Sequence, residues 1–155
     1  MMLRRRVRGK ARGTTIAEQA ERLEESRERL LPRIRRAADT PGNREALNHF
    51  VGIERWSLSR IHSRIRVTKG EPLVLDSYHG YRLPENATLE ELQDTFAAVR
   101  DESIALAREL AASGVDPNLK IPHNDLGELT VVEWFAYIDD HTRREIVRIR
   151  EASAS

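Results

Sequence analysis

His141 and Glu145 stand four residues apart in a stretch whose apolar residues recur every three or four positions. That spacing stacks two side chains along one helix face. With Ile138 taken as the centre of the inward face, at about 100° per residue His141 falls about 60° to one side and Glu145 about 20° to the same side. A buried imidazole beside a buried carboxylate has to be paired, either with its neighbour or with a cation. Zinc, nickel, manganese or ferrous iron would each suit these donors, and a His–Glu hydrogen bond would satisfy them without a metal. His49 is the other histidine in a helical pattern. It lies almost opposite Leu47 on the wheel, beside Ile53 and Trp56, which makes it either a ligand on a second buried face or a half-exposed histidine. Glu54 interrupts the apolar stripe between Val51 and Leu58, and Arg27 interrupts another between Leu23 and Leu30, so the two are expected to form a buried ion pair. His62, His79 and His123 have no partner at ligand spacing and are expected on the surface or in loops.

Helix starts are written into the chain by threonine followed three residues later by glutamate, at Thr15/Glu18, Thr88/Glu91 and Thr130/Glu133. Such a pair satisfies two orphan amides reciprocally. The first predicted helix runs from about Thr15 to Ala38 and should kink or divide at Pro32. The second follows Thr40-Pro41-Gly42 and continues to about Arg66, with an apolar surface broad enough to meet two partners. Leu89 to Ala112 forms the third, with Gly114 placed to end it, and Thr130 to about Glu151 forms the fourth. Four amphipathic helices predict an all-α fold, an antiparallel four-helix bundle with a long loop between helices 2 and 3. That loop, Val67 to Ala87, exceeds an ordinary helix–helix turn; Pro72 to Asp76 could be extended, and Tyr78, His79, Tyr81 and Arg82 could hang over or merely cover one end of the bundle. The stretch from Gly114 to Glu128 reads as ordered coil.

Composition narrows the function classes. The 155 residues are 39% hydrophobic and 33% charged, too apolar for a disordered chain, and no apolar run is long enough for a membrane span. With no cysteine, disulfides, thiolate-held metals and cysteine nucleophiles are excluded, and the cytoplasm is the simplest compartment. Six of the 26 basic residues fall in the first twelve positions, so from residue 13 onward 20 basic residues face 25 acidic ones. Residues 1–13 therefore read as a basic, flexible arm and 14–152 as one domain. Arginines without interleaved aromatics carry no readable nucleic-acid specificity. Phosphate loops, nucleophile elbows and His-Glu-x-x-His signatures do not occur.

Two segments, Leu47-Asn-His49-Phe-Val-Gly-Ile-Glu54-Arg-Trp56 and Leu126-Gly-Glu-Leu-Thr-Val-Val-Glu-Trp134-Phe-Ala-Tyr-Ile-Asp-Asp-His141-Thr-Arg-Arg144-Glu145-Ile-Val-Arg-Ile149, together resemble the DinB-like superfamily of bacterial four-helix proteins. The resemblance extends from about residue 15 to 151. In that family a second-helix histidine joins two histidines spaced by four on the last helix to hold a divalent metal. The resemblance implies His49 and His141 as ligands, with Glu145 where the family usually has its second histidine. A two-histidine, one-carboxylate set leaves coordination positions open for water or substrate. Family members of known activity are metal-dependent thiol transferases, so the resemblance implies transfer of a low-molecular-weight thiol, such as bacillithiol or mycothiol, to a small-molecule electrophile, or a related hydrolysis. Tyr78, Tyr81 and Arg82 would then contact substrate. The alternative is a non-catalytic bundle with a degenerate metal site, dimeric through the second helix and Trp56.

Overall fold

The computed structural model describes residues 2–66 and 73–153, and these are predominantly helical. Five α-helices occur among them: α1 (Met2–Ala11), α2 (Ile16–Arg35), α3 (Pro41–Arg66), α4 (Leu89–Ser113) and α5 (Val131–Glu145). Helices α2 and α3 each pack on both α4 and α5, and α1 lies on α5. The three threonines begin helices as the sequence predicts. Thr15 accepts from the Glu18 amide, and Thr88/Glu91 and Thr130/Glu133 form complete capping boxes. Gly114 ends α4 at φ 75°, a left-handed conformation that a side chain would strain. Pro32 sits in the last turn of α2 without dividing the helix.

Several expectations are corrected. The basic leader is not a free arm but a helix, because Val7 and Ala11 bury against the protein and its cations find acids on α5. Arg6 and Lys10 both reach Asp140 at 2.7 Å, and Arg8 reaches Glu133 at 3.3 Å. The coil before α5 contains an antiparallel hairpin, β1 (Lys120–His123) with β2 (Gly127–Thr130), whose register pairs Ile121 with Leu129. Helix α5 stops at Glu145 and continues as a single 3-10 turn, Ile146–Arg148. Leu73 to Ser77 has no regular structure, and Pro72 lies outside the described residues. Trp56 is enclosed by the chain itself, its indole N–H donating to the Asp76 carbonyl, so it offers no association surface.

The core consists of two apolar clusters separated by a polar layer. One holds Leu23, Ile53, Trp56, Val99, Leu106, Trp134 and Ile138; the other holds Ile34, Leu47, Phe50, Leu92, Phe96 and Ile149. Between them Arg100 of α4 grips Glu54 of α3 through two bonds of 2.7 and 3.2 Å, while bonding Ser26 of α2 and Thr142 of α5. Ser103 adds a third donor to Glu54 at 2.8 Å. Four helices thus meet on one fully satisfied buried ion pair, which is what such a charge requires. Arg27, the partner expected for Glu54, is instead partly exposed and bonds Asp101.

Behind α5 the chain returns to the α2–α3 turn. Asn43 donates to the carbonyls of Ala38 and Arg150 and accepts from the Arg150 amide, and Ala37 bridges to Glu151. This clasp fixes the end of α5, where His141 and Glu145 lie.

Candidate metal centre

His49 projects from the third turn of α3 towards α5 and is half-buried, so it combines the two environments that the wheel left open. Its Nε2 stands 3.1 Å from the Nε2 of His141. One ligand atom from each of His49, His141 and Glu145 lies within 4.8 Å of the others. His141 is buried against the edge of Phe50, with Tyr137 nearby, and His49 and Glu145 are half-buried. The cluster therefore opens on the side where Glu145 meets solvent.

The chemistry of the donors fits a divalent ion. Two nitrogens each 2.0–2.1 Å from one tetrahedral zinc are separated by about 3.3 Å, close to the observed separation of the imidazole nitrogens. Burial, first, and the neighbouring His49, second, push the His141 pKa down to about 3. Burial and then the Arg148 charge lower that of His49, with Arg82 and His79 adding to the effect and Glu145 opposing it. Both rings are consequently neutral at pH 7, the form that donates a lone pair to a metal. The hydrogen-bonding contact in the cluster joins the two imidazoles and does not join either to Glu145. The Glu145 carboxylate has only long contacts, 3.9 Å to Arg144 and 3.9 Å to Arg148.

The loop after α3 is strapped along one face of that helix at four consecutive turns. Asn48 forms a two-way amide clamp with the backbone of Leu83, at 2.9 and 2.8 Å. Gly52 lies under Tyr78 and Arg82, where an added Cβ would stand 2.6 Å from the Arg82 Cγ. Trp56 and Arg60 both donate to the Asp76 carbonyl. This strap sets the Tyr78 ring edge-on to His49, with centroids 5.2 Å apart, and places Arg82 close enough to lower the His49 pKa. Tyr81 is directed elsewhere. Its hydroxyl donates to Asp76 and meets Ser59, ten residues and about 15 Å along α3 from His49. A groove of about 620 Å³ opens at that distant point, lined by Arg55, Ser59, His62, Tyr81, Arg82 and Glu102.

Two residues at the cluster escaped the sequence reading. Arg148 follows Glu145 by three positions, a recognisable helical pair, but sits among other arginines. Asn48 adjoins the histidine and carried no separate signal. His123 also departs from expectation, being buried rather than on the surface. Its Nδ1 accepts from the amides of Asp125 and Leu126, and the ring stacks among Trp56, Trp134 and Tyr137. No protein-family model, curated protein or solved structure matches this chain.

Proposed function

We propose that this chain is a divalent-metal protein of the DinB-like type, in which α2 to α5 form the antiparallel four-helix bundle and His49, His141 and Glu145 hold the ion. The observation that carries the reading is the meeting of three donor atoms from two helices within 4.8 Å. The neutral state of both imidazoles and the lack of a short partner for Glu145 support it. Three protein ligands leave a tetrahedral or five-coordinate ion with an open position. There the metal would lower the pKa of a bound thiol or water and turn it into a nucleophile at neutral pH. Since the chain has no cysteine, the sulfur in a thiol transfer belongs to a low-molecular-weight cosubstrate, and the acceptor is a small electrophile. Tyr78 and Arg82 are the loop residues we assign to meet it, since Tyr78 stands edge-on to His49 and Arg82 lies over Gly52.

The test is elemental analysis of tag-free protein together with His49→Ala and His141→Ala. About one zinc, nickel, manganese or iron per chain in the parent, falling at least tenfold in both variants, is the expected result. Parent protein that takes up no stoichiometric metal, even after incubation with each ion, ends the proposal.

A further inference from the structure

Every cationic group that borders the open side of the cluster is a candidate for contact with whatever occupies the fourth coordination position. Arg148 approaches from the end of α5, its guanidinium 3.9 Å from Glu145 and beyond hydrogen-bonding range, whereas Arg144, at the same distance from Glu145, is also drawn to Asp140 at 3.5 Å. Arg82 approaches from the strapped loop, held over Gly52 one turn along α3 from His49. Its Nε donates to the His79 carbonyl at 3.4 Å. Both arginine side chains reach solvent. Glu145 is the one acid among the charged groups acting on His49, against Arg148, Arg82 and His79. Once Glu145 gives its charge to a divalent ion, the other charged groups acting on His49 are positive, and Asp140 is the remaining acid near His141.

Two planar guanidiniums beside one cation suit an oxyanion, which each can meet through paired N–H donors. Resting on the metal reading above, we infer that the ligand entering this site carries a carboxylate or phosphate group bound between Arg82 and Arg148, while its donor atom takes the open position on the metal. Tyr78 stands edge-on to His49, with ring centroids 5.2 Å apart. The arginines are thus binding residues that select anionic small molecules, and a neutral thiol or alcohol of the same size binds more weakly.

The experiment uses full-length protein loaded with cobalt(II), whose visible absorption reports its ligand set. Inorganic phosphate and malonate are titrated in parallel at constant ionic strength, with sodium chloride as the control, and binding is measured by calorimetry alongside the spectrum. Saturable binding of either anion, weakened about tenfold by Arg82→Gln and by Arg148→Gln but unchanged by Arg108→Gln, an exposed arginine paired with Glu24, supports the inference. The tighter of the two anions identifies phosphate or carboxylate as the group recognised. Cobalt binding with anion affinities that neither Arg82→Gln nor Arg148→Gln alters, or that chloride reproduces, overturns the inference and leaves the metal centre standing. Failure of the protein to bind cobalt overturns the metal reading itself.

Discussion

At the scale of single residues, His123 shows how a side chain with no apparent task can govern stability. The sequence places it between two prolines and a glycine, in what reads as coil, and nothing in its spacing announces burial. Burial lowers its pKa to about 4, from an ordinary 6.5. The unfolded chain therefore binds a proton between those values that the folded chain refuses, so its contribution to stability is complete above pH 6.5 and declines as pH falls to 4. In the metal-free protein His141 acts in the same direction, its pKa falling to about 3. Urea midpoints at pH 7 and pH 5 should accordingly show a less stable protein at the lower pH. His123→Phe should flatten this slope without abolishing it, and should cost about 1–3 kcal/mol at pH 7 because the Asp125 and Leu126 amides lose their acceptor. Equal slopes in parent and variant would remove the imidazole as the cause. His49 was only half legible for a related reason. Its wheel position allowed a ligand on a second buried face or a half-exposed histidine, and relating it to His141 required knowing that α5 packs against α3.

Helix boundaries were far more readable than helix partners. Threonine and glutamate at fixed spacing act within one turn, so Thr88/Glu91 and Thr130/Glu133 disclose their helices without any tertiary information. Helix α1 gave no such sign, because its five cations look like solvated charge until Asp140 and Glu133 on α5 are seen to receive three of them. The hairpin β1–β2 was hidden by Pro122, whose residue type argues against a strand even though an edge strand accepts it. Among the connections, the loop strap is the one whose geometry leaves least room. Gly52→Ala would drive a methyl into the Arg82 Cγ at 2.6 Å and leave it 3.2 Å from the Tyr78 carbonyl, so the loop must lift from α3. A loss of about 1–3 kcal/mol in urea unfolding is expected, together with faster proteolysis within residues 73–87. Unchanged stability and cleavage would mean that the strap is not closed on α3 in solution.

For the molecule as a whole, the polar layer around Glu54 and Arg100 is the organising feature. The sequence revealed that Glu54 interrupts an apolar stripe, but not its partner, since Arg27 and Arg100 are both arginines within helical patterns and only the packing of α3 on α4 distinguishes them. Arg100→Met should destabilise the protein by about 3–5 kcal/mol, because it strands a buried carboxylate. The double variant Glu54→Leu/Arg100→Met should recover most of that loss, as replacing both charges with apolar volume commonly does. Thermal melts of the two proteins check this. A double variant as unstable as the single one would show that the layer holds the helices by geometry rather than by charge balance.

Thr142, whose hydroxyl accepts from Arg100 inside that layer, is the residue immediately after His141. The azimuth of the imidazole is therefore tied to a hydroxyl about 100° round the same helix turn. An interior redesigned to be uniformly oily would remove one of the bonds that fix how α5 is turned about its axis. Such a chain could melt at a higher temperature and yet grasp its ion poorly.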